Sequence, residues 1–371
     1  IPAFYDVTYF EDGRVKAITP NEPGIPAVIT KAIIKDLNEF APPTNFFVPM
    51  VGCPHRCSFC DQNSITGEAG VPTPAEVDET LKRAARQLRG FGDKTEIAFF
   101  GGSFTMIPEE LMRSLLEPAA KWVRRGAFSG IRLSTRPDAI DEHIISVLKE
   151  YGVTSVELGA QSSDDEVLAK NLRGHSFEDT KRACELIKAA GFSLGLQMMT
   201  GMPGSSRDKD IMTAARFAAL KPETMRIYPA LVLKNTLMAK WYERGEYTPQ
   251  TVDEAAELCA ELLDIFDLYG VKVIRMGLHA EQSLEESLVA GPYPPALREI
   301  AESLRFRKKI APMLTRLPKG RYILSVAKSD ISKCIGQKRS NIEYWYSLGY
   351  EIRVKEDSTL SSGDFCVNLE Y

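Results

Sequence analysis

Thr44-Asn45-Phe46-Phe47-Val48-Pro49-Met50-Val51-Gly52-Cys53-Pro54-His55-Arg56-Cys57-Ser58-Phe59-Cys60 is the stretch whose reading decides the fold. An apolar run of strand character, Thr44 to Met50, feeds directly into a C-x3-C-x2-C loop. Three closely spaced thiolates, Cys53, Cys57 and Cys60, can hold three irons of a four-iron, four-sulfur cluster, whereas a closed electron-transfer cluster takes four cysteines. The fourth iron is then open to a ligand. An open iron that takes the amino and carboxylate groups of S-adenosylmethionine is what reductive cleavage of that cofactor requires, because the electron has to reach the sulfonium at contact distance.

A zinc knuckle is the competing use of such thiolates, with His55 or a distant cysteine as fourth ligand. The sequence has no second C-x2-C or H-x3-H pair to complete a tetrahedral site, and His55 lies between two of the cysteines, so the cluster is the reading adopted. Cys184, Cys259, Cys334 and Cys366 stand apart in apolar or amphipathic contexts and are expected to be buried small hydrophobes.

Composition fits an intracellular enzyme. The 371 residues, 44% hydrophobic and 26% charged, suffice for one large domain and a small one. The formal charge of -4 excludes a global polycation, so any attraction for nucleic acid has to come from a local patch. No run is long enough to span a membrane and no signal peptide is visible. Thiolate ligands need a reducing compartment, so a cytoplasmic location is expected. The chain opens on Ile1 rather than Met, and its start is not read as a natural terminus. Nothing in the sequence sets an oligomeric state.

Short apolar runs then alternate with amphipathic helical patterns. Strands are expected at 44–50, 96–100, 131–135, 155–159, 193–199, 224–228 and 271–276. Helices are expected at 74–88, 108–122, 140–151, 177–190, 208–220 and 252–269, the first capped by Thr73. Parallel neighbours need a crossover, so this alternation predicts an α/β fold, a full or partial (β/α) barrel. The expected domains are an N-terminal extension over 1–43, the barrel over 44–310 and a small α+β domain over 311–371.

Chemistry in such barrels gathers at the carboxyl edge of the sheet, and the notable residues fall at strand ends. Gly101-Gly102-Ser103-Phe104-Thr105 ends the second strand and Ser134-Thr135-Arg136-Pro137-Asp138 the third. Glu157 to Ser162 ends the fourth, Gln197 to Gly201 the fifth and Tyr228-Pro229 the sixth. Paired glycines often mean only a tight turn, although they also let a ligand approach the backbone. Arg136 before Pro137 reads equally well as a turn salt bridge or a ligand contact. Glu157 within an apolar strand is costly unless paired or used. Gln197 likewise interrupts apolar residues, and His175 by itself reads as structural.

These residues, with Arg173-Gly174-His175 and Ile227-Tyr228-Pro229, resemble the radical S-adenosylmethionine superfamily. Over about residues 44 to 310 the chain is most similar to the radical domain of the Elongator catalytic subunit and its bacterial relatives. The resemblance implies that Cys53, Cys57 and Cys60 bind a [4Fe-4S] cluster and that Phe59 packs near the adenine of S-adenosyl-L-methionine. It implies that Gly101, Gly102 and Ser103 receive the methionyl amino group. Glu157 suits a ribose hydroxyl or the amino group, and Arg136 or Arg173 the carboxylate, which a guanidinium fork matches. Gln161 and Gln197 are polar contacts to cofactor or substrate, and Tyr228 is a wall of the substrate cavity. An electron donor such as flavodoxin or ferredoxin is the implied partner. The Elongator protein adds an acetyltransferase domain, but about 60 residues follow Ile310 here, below the usual domain size, so acetyl transfer is not expected. The first gap between cysteines is also shorter than in the eukaryotic Elongator motif.

From Arg305 to Asn341 the tail places eleven basic residues against one acidic residue, Asp330, which predicts a positive patch. Its expected order is strand 322–326, helix 330–335, turn 336–339, helix 341–348 and strands 351–355 and 365–369. That order, and Ile335-Gly336-Gln337-Lys338-Arg339-Ser340-Asn341-Ile342, resemble a KH-type RNA-binding domain, whose loop has Gly at both ends and clamps the nucleotide backbone. Arg339 stands in place of the second Gly. A basic surface on a stabilising domain is the alternative. Tyr344, Trp345 and Tyr346 either stack bases or anchor the module. The expected function is therefore a radical enzyme that abstracts hydrogen from a substrate held at the barrel mouth, with RNA favoured and tRNA one candidate. The alternatives are a small-molecule or tetrapyrrole modifier, since Glu157 to Ser162 and Arg173 to Ser176 are also similar to oxygen-independent coproporphyrinogen oxidases, and a metal-stabilised RNA-binding scaffold.

Overall fold

The computed structural model describes residues 5–9, 15–20, 45–48, 57–61, 70–88, 94–278, 282–294 and 296–370. Tyr5–Tyr9 (β1) and Val15–Pro20 (β2) pair antiparallel, and the remainder of the expected 1–43 extension lies outside the described residues. In chain order β3 (Asn45–Val48) is followed by α1 (Pro74–Gln87), β4 (Glu96–Gly101), α2 (Glu109–Arg124), β5 (Gly130–Thr135) and α3 (Glu142–Glu150). Next come β6 (Val153–Gln161), α4 (Asp165–Lys170) and α5 (Phe177–Ala189). The alternation continues through β7 (Ser193–Thr200), α6 (Arg207–Ala219), β8 (Thr224–Pro229), the short β9 (Val232–Leu233), α7 (Leu237–Glu243), α8 (Val252–Leu268) and β10 (Lys272–Met276).

Strands β3 to β8 and β10 form one sheet in the order β10-β8-β7-β6-β5-β4-β3. The β3–β4, β4–β5, β5–β6 and β8–β10 ladders are parallel. Sequential parallel strands joined by helices make this the expected α/β partial barrel, with β3 and β10 as its end strands. Local signals explain the helix starts. Thr73 and Glu76 form a reciprocal capping box at α1, and Thr251 and Glu254 do the same at α8. The sequence reading passed over α4, β9 and α7, all shorter than eight residues. It also passed over α9 (Gln282–Ser287), β11 (Leu288–Ala290) and the long α10 (Leu297–Leu314).

Packing divides the chain into two compact units, one within 1–55, 62–159 and 178–195, the other within 56–61, 160–177 and 196–371. In the first unit, Phe99 at the middle of β4 stacks on Phe46 (ring centroids 5.5 Å apart) and on Phe104 (4.8 Å). Val77, Leu81 and Ala84 give α1 one fully buried stripe, the mark of an amphipathic helix laid on a core.

The second unit holds two apolar clusters. One gathers Val167, Met199, Met202, Val232, Met238 and Tyr247, with Phe59 and Tyr228 packed against it. The other is the core of the C-terminal module, built from β12 (Gly320–Val326), α11 (Ile331–Ile335), α12 (Ser340–Ser347), β13 (Tyr350–Glu356) and β14 (Phe365–Leu369). The sheet order is β13-β12-β14, with β12 parallel to β13 and antiparallel to β14. This is the expected β-α-α-β-β order. Phe306, Ile310 and Leu314 of α10 belong to that core, so the helix runs unbroken across the boundary expected at 310.

One buried carboxyl sets the loop after β7. Asp210 on α6, 1% exposed, accepts from the Gly201 N–H (2.8 Å) and the Ser205 hydroxyl (2.6 Å), while the Tyr247 hydroxyl donates to the Gly201 carbonyl (2.7 Å). Burial outweighs those two bonds and raises the Asp210 pKa to about 6. A carboxyl raised above its unfolded value favours the fold while protonated. Its contribution is full below about pH 4 and is lost as pH rises toward 6, a change on the order of 3 kcal/mol. Asp210→Asn is therefore expected to flatten this part of the stability profile, gaining on wild type as pH rises from 4 to 7. Chemical denaturation across that pH range is the check, and parallel profiles would reject the assignment.

Candidate functional site

The cysteine loop enters the described residues at Cys57; Cys53 and His55 lie outside them. Cys57 is buried and Cys60 half-buried, and a turn joins them through Cys60 N–H to Cys57 carbonyl (3.1 Å). Between them Ser58 is fully buried and doubly fastened to Asn171. Its N–H donates to the Asn171 carbonyl (3.2 Å) and its hydroxyl to Asn171 Oδ1 (2.6 Å). The Asn171 amide nitrogen donates in turn to the carbonyls of Val167 (2.8 Å) and Pro203 (2.9 Å), and the Ser58 carbonyl accepts from Met238 N–H (2.8 Å). The loop is thus tied to the end of α4, the loop after β7 and the start of α7 before any cluster is considered.

Asn171 caps α4, and Leu172 follows in a left-handed conformation (φ 55°) that turns the chain back. Two residues on, the buried Arg173 donates from Nη1 to the Cys57 sulfur (3.2 Å). A guanidinium beside this sulfur complements the negative charge of a thiolate-ligated cluster. The donor set therefore fits a cluster. His175, buried, contacts the Ala160 carbonyl through Nε2 (3.2 Å), in keeping with the structural reading. Gln161 ends β6 at φ 65°, a strained conformation for a residue with a side chain, and accepts from Gln197 Nε2 (3.2 Å). Phe59 and Tyr228 meet the same apolar cluster. The second unit thus brings together Cys57, Cys60 and Arg173, and separately Gln161 and Gln197.

In the first unit, Gly101 has φ 116°, and a Cβ there would lie 2.4 Å from the Val48 carbonyl oxygen, which also accepts from Gly102 N–H (3.0 Å). Glycine is required because β4 ends in backbone contact with the residue that leads into the cysteine loop. Ser103 and Thr105 both share hydrogen bonds with Thr135 (2.8 and 2.6 Å), and Ser103 also accepts from Arg136 N–H (3.2 Å). The Arg136 fork closes on Asp138 through two bonds of 2.9 Å, the turn salt bridge. Glu157 is held by Arg132 Nη1 (2.6 Å), whose Nη2 reaches Glu96 (2.7 Å). Burial opposes the charge on Glu96 and Arg132. Hydrogen bonds from Ser155 and Thr154 and the Arg132 charge nonetheless keep Glu96 below the usual carboxylate range, and pairing with Glu157 and Glu96 keeps Arg132 above the ordinary guanidinium value.

Two expectations are corrected. Cys366 is exposed, on β14 at the edge of the module's sheet, while Cys184, Cys259 and Cys334 are buried as expected. The tail is also less positive than its sequence. Arg305 pairs with Asp264 and Asp267, Lys308 with Glu261, Arg321 with Glu351, and Lys333 with Glu302 and Asp330. Acidic partners from α8, α10 and β13 are far enough along the chain to escape a count over a window. Among the described residues Lys338 and Arg339 form no ion pair, and both adopt left-handed backbone (φ 51° and 64°). Trp345 is fully buried in the module, Tyr344 lies under the Arg307 guanidinium (4.5 Å), and Tyr346 is 70% exposed. Ser58, Asn171, Arg132 and Glu96 escaped the sequence reading, since nothing local links residue 58 to 171 or marks Arg132 as the partner of Glu157.

A family model described as the radical SAM superfamily matches residues 47–218, and one described as the radical SAM C-terminal domain matches 222–305. The chain is 34% identical over 248 residues to tRNA uridine(34) acetyltransferase of Methanocaldococcus infernus, covering 56% of this chain and 46% of that protein. It is 31% identical over 201 residues to Elongator complex protein 3 of Mus musculus, covering 48% and 36%. The solved structure of archaeal Methanocaldococcus infernus Elp3 with an N-terminal deletion is similar at a TM-score of 0.55 and 26% identity, covering 62% of this chain and 59% of that one. The chain spans less than two thirds of the length of these relatives.

Asn171→Ala would leave the buried Ser58 hydroxyl without its acceptor, at a cost of about 1–3 kcal/mol. A lowered unfolding midpoint together with reduced iron uptake on anaerobic reconstitution is expected, and unchanged iron uptake would count against the latch. Gly101→Ala meets a backbone oxygen with no room to yield. It should destabilise by more than about 1 kcal/mol in denaturant titration.

Proposed function

The chain belongs to the radical S-adenosylmethionine superfamily, and from that premise we propose that it is an enzyme modifying RNA, with tRNA as the substrate class. The observation that carries the reading is the cysteine loop itself, fastened by Asn171 and met at Cys57 by the Arg173 guanidinium. Cys53, Cys57 and Cys60 would hold the [4Fe-4S] cluster. When bound, cluster and S-adenosylmethionine supply a 5′-deoxyadenosyl radical that abstracts hydrogen from the substrate.

The chain's own residues bind, orient and exclude water. Arg173 is suited to the methionyl carboxylate, since Arg136 already closes its fork on Asp138. Gly101, Gly102 and Ser103 remain the proposed seat of the methionyl amino group. Phe59 offers an apolar face for the adenine, the Gln161 and Gln197 amides offer hydrogen bonds, and Tyr228 a wall for substrate. Glu157, held by Arg132, is kept as an acceptor for a hydroxyl or amine. Such an enzyme needs a one-electron donor such as flavodoxin or ferredoxin in a reducing cytoplasm. RNA as substrate is supported by the β-α-α-β-β module with its unpaired Lys338 and Arg339, and by relatives named for tRNA. No helix among the described residues is long and apolar enough to cross a membrane.

Anaerobic reconstitution should load about four irons per chain. On reduction with S-adenosylmethionine present, the protein should release 5′-deoxyadenosine, and Cys57→Ala should bring this to background. Correct iron loading without that product would reject the chemistry. Binding of total tRNA should weaken steeply with added salt, because phosphate contacts release counterions. Salt-indifferent binding would reject the RNA assignment while leaving the radical chemistry standing.

A further inference from the structure

The C-terminal module carries a groove of about 810 Å³ whose floor is Ile335, Ile342, Ile352 and Val354, with Tyr346 and Arg339 at its margin. Glu343, Glu351, Arg353 and Glu370 also line it. Arg339 of the 336–339 loop has no carboxylate partner among the described residues, whereas Glu351 is paired with Arg321 (2.9 Å) and Glu370 with Arg353 (3.4 Å). Phosphates would be drawn to the loop side, while the apolar floor and the exposed Tyr346 ring suit base faces.

The loop is also fastened into the body of its unit. Asn341, directly after it, donates from its buried amide to the carbonyls of Cys334 (3.1 Å) and of Ser303 on α10 (2.9 Å). Further along α10, Glu302 accepts from Lys333 on α11 (3.1 Å) and from Arg298 (2.8 Å), and Arg298 donates to the Val273 carbonyl of β10 (2.7 Å). Lys333 also meets Asp330, which accepts from Gly363 N–H (2.6 Å) and the Ser362 hydroxyl (3.0 Å). Burial pulls the Glu302 carboxyl up and the Lys333 ammonium down, but the pairing outweighs it on both sides and keeps the two charged. Arg305 adds ties to Asp264 and Asp267 of α8. From a strand of the sheet to the loop there is a continuous chain of buried or half-buried bonds along one unbroken helix.

We propose that the module is a fixed arm that selects which nucleotide of a bound RNA is presented for reaction, rather than a tethered domain that only raises affinity. This rests on the RNA reading above. A tether raises local concentration and tolerates movement, whereas an arm on a shared helix fixes the distance from groove to reacting position.

The test uses the reconstituted full chain with total tRNA as probe. In the double variant Arg298→Ala with Lys333→Ala, which leaves the groove untouched, tRNA affinity should stay within about threefold and 5′-deoxyadenosine formation without RNA should be unchanged. Modified nucleoside yield should nonetheless fall by about tenfold or more, as expected when a reacting group is misplaced. Lys333→Arg should restore the yield. Lys338→Ala with Arg339→Ala should instead weaken tRNA binding and lower the salt slope by about two. Full modification by the relay variant would overturn the arm, as would failure of Lys333→Arg to restore yield when that variant unfolds at the wild-type temperature. If wild type does not bind tRNA, the RNA reading falls and the arm with it, a result separable from the others because no variant is needed to see it.

Discussion

A loop that is to carry three thiolates has to be shaped by something other than the thiolates. Here that is the pair of hydrogen bonds between Ser58 and Asn171, both wholly buried. The backbone and side chain of one residue are matched by the backbone and side chain of the other. Asn171 uses its amide nitrogen on the carbonyls of Val167 and Pro203. Because a buried polar group is expensive when orphaned, such a latch has few alternative arrangements. Cys57 and Cys60 flank it, Phe59 rests on the apolar cluster behind it, and Arg173 reaches Cys57 two residues beyond Asn171. The position of the loop and its apolar support both follow from where that one asparagine stands.

The same demand for compensation governs the polar residues at the strand ends. A charge buried in a sheet is costly unless paired, and three charges of β4, β5 and β6 are paired along the sheet. Glu96, Arg132 and Glu157 form a row across β4, β5 and β6, and Arg136 folds onto Asp138 within a turn. Such pairing separates arginines of equal appearance in the sequence. Arg136 has a carboxylate two residues away, while Arg173 comes to a cysteine sulfur. Gln161 shows the complementary case, a strained backbone held at the end of β6, the kind of outlier that clusters at functional edges.

The C-terminal module follows a different rule. Its order of elements is dictated by short-range periodicity, but its electrostatic character comes from elsewhere in the unit. Carboxylates on α8, α10 and β13 neutralise four of the eleven basic residues whose count makes the tail look strongly positive, Arg305, Lys308, Arg321 and Lys333, and the loop cations Lys338 and Arg339 stand apart from that neutralisation. The helix α10 belongs to the module's core as much as to the segment before it, so the module is not a bead on a string.

Residues 44 to 60, the alternation of strands with amphipathic helices, the glycines at 101–102 and the β-α-α-β-β tail were legible in the chain because each is a local pattern. Hydrogen-bond periodicity, capping pairs such as Thr73 with Glu76 and thiolate spacing need no knowledge of distant neighbours. The six- and seven-residue helices α4 and α7 were passed over, although the still shorter α11 was expected at 330–335, and α10 was missed because it was read only as a run of basic residues. The tertiary structure alone decided which polar groups meet: Ser58 with Asn171 across 113 positions, Glu157 with Arg132, the tail's cations with carboxylates on α8 and α10. It also decided that Cys366 faces outward. The physical reason is that periodicity states which face of an element is buried, whereas the partner of a buried polar atom is fixed only once the path of the chain brings two faces together.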